Sequence, residues 1–476
     1  MSITKNFVYN SAITVSTYIV GFVIFPYITR KLGVDNIGVI GFVDNAISYF
    51  VTILMLGAHS VGVREIAACQ GDRNRITEVF SSILSFLLVS TILAAIVYSI
   101  FIFNIPQFNQ YKNYFLIGYI KILFTPFVIE WLFAGSQDFA YISKRTISVR
   151  VIYAISIIYF INDSNDVWIY FLLTGLMTVV NALINLRYSR RYVNYKLIRF
   201  RPTGYYKPIA KLGLFQIIIS FYSTFNYIYL RWVSTEYQVG LYYTSIKIYT
   251  VLVGLFSAYT NVVMPRISEL LEQHKMDDMK KLVNKSFEAL ISFCIPIIIC
   301  VILLSPFIVE IIAGTGFEGS TLPMMIVMPV LLIAGLNQVN GTQVLIPLHK
   351  DNVLLITAAL AASVGLLGNF FLDRKYGAVG ASVTVLLSEF VGCVSGYVYS
   401  VYTKTLYFPS RIILRNICLA IPYFLIYVVL SYFIEEKMYF IFSCILLFIT
   451  YFFFSQYKIC KNQIIINIFN KILIHK

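Results

Sequence analysis

Charge is scarce in this sequence, and acid is scarcer than base. Only 12% of the 476 residues are Asp, Glu, Lys or Arg, and 22 acids stand against 37 bases, for a net charge of +15. A chain this poor in charge and this rich in apolar residues is not a water-soluble globular protein. Histidine is rare (4), and the seven cysteines are scattered with no Cys-x-x-Cys spacing. That excludes a metal-ligand cluster and a disulfide framework, and the cysteines read as small apolar residues in helices. Glycine-rich phosphate loops and catalytic triads are also missing. No cleavable signal opens the chain, and the first apolar run is long enough to remain as an anchor.

What is present is apolar. Hydrophobic residues make up 59% of the chain, with 36 Tyr and 39 Phe, and the mean hydropathy is +0.79. Aromatic rings at this frequency suit the headgroup level of a bilayer. A membrane span needs about twenty apolar residues. By that rule about fourteen spans are expected. Six lie at 7–29, 37–57, 79–103, 114–134, 147–161 and 167–186. Eight more lie at 212–232, 240–264, 287–313, 322–346, 353–372, 378–401, 412–433 and 438–455. The expected fold is all-α and polytopic.

Between the two groups lies the segment 187–211, which holds Arg187, Arg190, Arg191, Lys196, Arg199, Arg201, Lys207 and Lys211 and no acid. Such a cluster between spans marks the cytoplasmic face. Its interleaved tyrosines and flanking spans point to anionic lipid headgroups rather than nucleic acid. With both termini on the same side, inside segments outnumber outside loops in Lys and Arg by roughly four to one, as the positive-inside rule requires. The outside loops are all short. The largest soluble element, 269–285, carries both charge signs on helix-compatible residues and reads as a surface helix at the inner face.

An offset of about 202 residues superposes Gly38 on Gly240 and Arg64 on Arg266, and brings the second and third spans onto the eighth and ninth. Each half then holds six spans, which implies parallel repeats about an axis along the membrane normal, with a cavity between them. The expected division is an N-terminal bundle at 1–190, the linker at 191–211, a C-terminal bundle at 212–401, and two added helices with a tail at 402–476.

A few charged residues fall inside spans. Lys121 lies about 10 Å into the fourth span at helical rise, and Lys247 lies in the eighth. A charge there needs water, a partner or a ligand, and snorkelling to the interface is the alternative. Asp44, in the second span, is the counter-charge for one of them; a pairing with Lys247 has to overcome the one-residue mismatch in the repeat, about 100° on a helix. Asn369 and Asp373 are four apart and share a helical face, and Thr384 enters the next span. Oxygen donors of this kind suit a hard cation such as sodium, or simply form a polar helix end. Arg64, Glu65 and Arg266, together with Asp44, are candidates for closing the cavity from inside; the first three also suit ordinary interfacial anchoring. Glu130, Glu310 and Glu389 are further embedded acids without an assigned partner.

Five motifs occur in order along the chain: PYITRKLGVDNIG from Pro26, VGVREIA from Val61, IEWLFAGSQDFAYISKR from Ile129, VGLYYTSIKI from Val239 and NFFLDRKYGAVGASVTVLLSE from Asn369. With them the chain resembles the O-antigen type of lipid-linked oligosaccharide flippase, in the multidrug/oligosaccharidyl-lipid/polysaccharide exporter superfamily. The resemblance implies fourteen helices, a cationic central cavity and alternating access. It implies an undecaprenyl-diphosphate-linked glycan as cargo, moved to the outer leaflet of the bacterial inner membrane, with membrane lipids and polysaccharide polymerase machinery as partners and no nucleic acid. It makes Lys247 a substrate-binding residue, with Lys121 and Arg30 beside it. Some relatives couple transport to sodium between the seventh, eleventh and twelfth helices, the last two of which Asn369, Asp373 and Thr384 match; proton coupling is the alternative. The seventh helix of such relatives usually carries Asp where this chain has Asn226. The rival readings are a multidrug exporter, which would favour acids in the cavity, and a membrane polymerase or acyltransferase, which would need reactive residues and a large outer loop.

Overall fold

The computed structural model describes residues 3–403 and 405–460, and among them every regular element is helical. Among the described residues, ten helical stretches are long and apolar enough to cross a membrane. The expected stretches fall largely on helix, but they do not all stand alone. The first two merge into Ile3–Met55, which turns at Gly33 (φ 78°, ψ 170°). That backbone conformation is open to glycine and strained for other residues. Three further stretches lie on helices outside the ten. Phe139–Phe160 carries Lys144, Arg145 and Arg150. Tyr206–Ser223 stops at Thr224, and Phe225–Val233 follows it. Glu236–Glu272 is rich in Tyr, Thr and Ser and carries Lys247. These are the segments where polar groups interrupt the hydropathy, so length and apolarity alone do not pick them out.

The chain divides into two compact units. The first holds the described residues up to Tyr243 together with Asn369–Ala381; the second holds Thr244–Gly368 and the described residues from Ser382. The first unit is built on close helix contacts. A Cβ placed on Gly38 would lie 1.9 Å from the Glu236 carbonyl oxygen and 3.0 Å from the Gly240 nitrogen. One on Gly240 would lie 2.2 Å from the Val34 carbonyl oxygen. The two glycines matched by the 202-residue offset therefore let their helices touch backbone to backbone, as small residues do in membrane bundles. Gly62 likewise lies under the Trp131 ring, 2.7 Å from where its Cβ would be. Trp131, Phe80, Phe133, Val61 and Ile66 fill the core around it.

The expected fourth span is a broken helix. Lys112–Phe124 gives way to a tight turn at Thr125–Val128 containing Pro126; Ile129 is left-handed (φ 34°), and Glu130–Gly135 resumes the helix. A β-branched residue in that region costs about 1–3 kcal/mol and persists only where its surroundings enforce it. The break frees the Val128 carbonyl, and a freed carbonyl in a membrane must be satisfied by protein. Asn185, fully buried on Val167–Ser189, donates its Nδ2 to that oxygen and accepts from Tyr141 at 2.8 Å. Asn185→Leu strips the carbonyl of its donor and is expected to lower stability by about 1–3 kcal/mol. Melting of the detergent-solubilised protein checks this; an unchanged midpoint would mean that the break supports itself.

In the second unit, polar side chains stitch apolar helices from within. Asn340 accepts from Ser400 at 2.7 Å, and Gln338 donates to Ser257 at 2.9 Å. Interhelical bonds of this kind are worth about 0.6 kcal/mol each on average.

Candidate functional site

Lys121 and Asp44 meet. The Lys121 ammonium donates to Asp44 Oδ1, with the side chains 18% and 26% exposed. Lys121 stands on the last turn of Lys112–Phe124, where Thr125 donates to its carbonyl at 2.6 Å and closes the helix. Tyr153 and Tyr170, hydrogen-bonded to each other, lie within electrostatic reach of Asp44 and of Tyr243. Asp44 is thus the counter-charge of Lys121. An arriving anion would compete with a carboxylate already in place.

A second embedded pair answers for Glu130. Its carboxylate accepts from Arg145, which also donates to Asn181 at 3.0 Å and is only 7% exposed. Five residues on, Arg150 donates to the Ile13 carbonyl at 2.8 Å and to Ser16 at 3.0 Å. Arg145 was not singled out in the sequence because its span was expected to begin at 147. The helix starts at Phe139, with Asp138 accepting from the Tyr141 N–H, and so carries Arg145 inside. The signal available was an unpaired embedded Glu130 followed by a basic motif. A third network joins Arg231 to Glu236 at 2.7 Å, Tyr111 at 2.8 Å and Gln110 at 3.0 Å.

Asn226, Asn369 and Asp373 come together in the first unit. Asn369 and Asp373 begin and end one π-helical turn, both buried. Asn369 donates to Asn226 Oδ1 at 2.7 Å, and Asn226 donates to the Tyr242 hydroxyl at 3.3 Å. Asp373 acts electrostatically on Tyr242 and Tyr229. The Asn369 Oδ1 is buried with no hydrogen-bond donor, so it is an oxygen available to a cation. Asp373 is the one acid of the three. Thr384 belongs to the second unit, where its Oγ1 is also buried without a partner and its methyl packs against Gly368.

Lys247 is half-buried on Glu236–Glu272, and Arg30 is exposed. Arg64 pairs with the adjacent Glu65 at 2.8 Å and Arg266 with Glu269 at 2.5 Å, on their own helices. The Arg266 hydrogen bond holds the Glu269 carboxyl below its ordinary range, so it is charged at neutral pH. Of the other embedded acids, Glu310 pairs with Lys437, and Glu389 accepts from Asn337 at 3.2 Å.

Residues 3–271 match the family described as polysaccharide biosynthesis protein. Among curated proteins, a candidate O-antigen transporter of Escherichia coli (strain K12) is 23% identical over 82% of this chain and 94% of its own length. A capsular polysaccharide biosynthesis protein, CapF of Staphylococcus aureus, is 26% identical over 46% of this chain and 56% of its own. Among solved structures, the lipid II flippase MurJ in an inward closed conformation superposes with a TM-score of 0.77 at 14% identity, covering 98% of this chain and 99% of that one. An inward-facing multidrug resistance MATE family transporter of the MOP superfamily gives 0.62 at 11% identity, over 85% of this chain and 95% of that one. The fold is that of polytopic membrane transporters, and these relatives are named as transporters, a flippase and a biosynthesis protein rather than as catalysts of a reaction. With more than half of its length matched, the chain belongs to the polysaccharide biosynthesis protein family.

Proposed function

We propose that this protein carries an undecaprenyl-diphosphate-linked oligosaccharide from the cytoplasmic to the outer leaflet of the bacterial inner membrane by alternating access. The observation that carries this reading is the retention of Lys121, Arg145, Arg150 and Lys247 on membrane helices of a chain with only 12% charged residues. A diphosphate cannot cross hydrocarbon unaided, and embedded cations offer it charge-assisted hydrogen bonds. The candidate O-antigen transporter among the relatives supports the glycan class. Both termini and the 187–211 linker are assigned to the cytoplasm, on the excess of Lys and Arg there. A multidrug exporter shares the fold; against it, Lys121 and Arg145 only match the acids Asp44 and Glu130, so Arg150 and Lys247 are the cations that tilt the balance toward an anion. Polysaccharide polymerase machinery is the proposed downstream partner.

Sodium coupling is proposed through Asn369 and Asp373, with Asn226 turned toward them. Buried amide and carboxylate oxygens suit a hard cation. Asn226 brings no charge, so Asp373 alone would balance the ion.

The test is reconstitution of the full chain into vesicles holding a lipid-linked oligosaccharide, with a glycosidase added outside. Protein-dependent exposure of the glycan is expected, without movement of a fluorescent cationic dye. Dye transport without glycan exposure overturns the flippase in favour of the exporter. An imposed sodium gradient is expected to raise the rate in the parent and much less in Asp373→Asn. Equal rates with and without sodium remove the sodium site and leave a proton as the coupling ion to test.

A further inference from the structure

The basic linker is not a loose tether. After Val167–Ser189 it lies along Arg73–Asn104, held by hydroxyls of that helix. The Asn194 N–H donates to Thr77 Oγ1 at 2.9 Å, and the Arg201 N–H donates to Ser85 Oγ at 3.1 Å. Arg73 reaches back to the carbonyls of Arg190 at 2.8 Å and Val193 at 3.4 Å. A Cβ on Gly204 would touch Ser82 at 2.9 Å. A strap fixed in this way presents its side chains in set positions.

By length along the helix, those positions reach the expected edge of the hydrocarbon. Arg73–Asn104 has 32 residues, so it is about 48 Å long at helical rise, about 18 Å longer than the hydrocarbon core. Counting about twenty residues back from Asn104 reaches the level of Ser85, the anchor of Arg201. The burial pattern agrees. Ile76, Thr77, Phe80, Ser81, Ser82 and Ser85 are covered by protein, whereas Ile92, Leu93, Ile96, Ile100 and Phe103 are more than half exposed. Along the strap, exposed apolar side chains alternate with cations: Lys196, Leu197 (49% exposed), Arg199, Phe200 (66% exposed), Arg201. Between strap and helix lies a cleft of about 180 Å³, lined by Arg199 and Arg201, by the polar side chains of Asn74, Thr77 and Ser81, and by one acid, Glu78.

We propose that this strap is a seat for an anionic phospholipid, with the phosphodiester in the cleft at Arg199 and Arg201 and the acyl chains beside Phe200. Two guanidinium groups lining the cleft suit a phosphate, while the Thr77 and Ser81 hydroxyls already donate to carbonyls one turn back. A large exposed ring next to them suits the interface of a bilayer and serves no purpose toward a soluble anion. The site is independent of which lipid-linked cargo the protein moves.

Native mass spectrometry of the purified full-length protein, with phosphatidylglycerol or phosphatidylcholine added in detergent, tests it. The parent is expected to retain phosphatidylglycerol over phosphatidylcholine. Arg199→Gln with Arg201→Gln should cut that preference about twenty-five-fold, at about fivefold per cation. Arg199→Lys with Arg201→Lys should keep most of it, and the surface variant Lys281→Gln with Lys285→Gln should change nothing. Phe200→Ser should weaken retention, and millimolar inorganic phosphate should not displace the lipid. Size-exclusion profiles matching the parent establish that the variants are folded. An unchanged preference in the double Gln variant overturns the proposal. So does displacement by inorganic phosphate with no effect of Phe200→Ser, which would make the cleft a soluble-anion site. Retention of a polyprenyl diphosphate far above phosphatidylglycerol also overturns it, in favour of a cargo entry site.

Discussion

Replacing Lys247 by alanine is expected to stop glycan export, by tenfold or more, while the protein still folds and inserts. Lys247 stands half-buried on Glu236–Glu272, in a stretch otherwise made of Tyr, Thr, Ser and Ile. A charge held at that depth costs about 2.5–3.5 kcal/mol or more unless something offsets it. Under the proposed function a diphosphate headgroup would add to whatever already holds the ammonium, with both charges neutralised where water is scarce. A hydrogen bond to a charged group is worth about 1.5–3 kcal/mol, which converts to about ten- to a hundredfold in binding. Lysine also suits the task as a compact charge that releases its ligand, whereas the fork of arginine grips in two places. Lys247→Arg is therefore expected to retain part of the activity. Lipid-linked glycan accumulating on the inner leaflet of cells, at matched protein levels, is the measurement. If Lys247→Ala exports as well as the parent, the lysine merely snorkels, and the anion-binding role passes to another embedded cation.

Asp44→Ala is expected to be among the most destabilising single changes in the first unit. It leaves the Lys121 ammonium on a membrane helix without the carboxylate it donates to. Breaking a buried pair from one side costs about 3–5 kcal/mol; both side chains here retain some exposure, so the lower end applies. Lys121→Ala should cost less, because the Asp44 carboxyl can take up a proton and become neutral. Removing both, as Asp44→Leu with Lys121→Met, should recover most of the loss, since apolar replacement of a whole buried pair is often neutral or better. Melting midpoints of the parent, Asp44→Leu, Lys121→Met and the double variant in one detergent form the cycle. Additive losses, with no recovery in the double variant, would mean that the two residues are stable independently of each other. Transport in the double variant then carries separate information: recovered stability with lost export assigns the pair to the cargo or to the gate.

Much of this protein was legible before any coordinates. Membrane residence, helical class and family resemblance all followed from the residues, because hydropathy adds up along the chain and needs no knowledge of what lies across from it. The cytoplasmic side proposed for the linker rests on a similar sum, that of Lys and Arg. The harder segments were those where polar groups break the run, at Phe139–Phe160, Tyr206–Ser223 and Glu236–Glu272, and these carry Arg145, Arg150 and Lys247. Of these the sequence marks only Lys247 as embedded; Arg145 and Arg150 emerge when the helix begins at Phe139.

Partner choice was decided by tertiary structure alone. Asp44 was open to either embedded lysine, and the fold gives Lys121 to it. Glu130 belongs to Arg145 because a left-handed Ile129 breaks the helix just before it, a break that Pro126 hints at but does not specify. Asn226 and Asn369 are 143 residues apart and bond to each other, and a linker that reads as a basic tether is strapped to Arg73–Asn104 by Thr77 and Ser85. Which side chains meet depends on the rotation and height of each helix against its neighbours. One residue turns a helix by about 100° and lifts it by about 1.5 Å, so that phase is set only when whole helices pack.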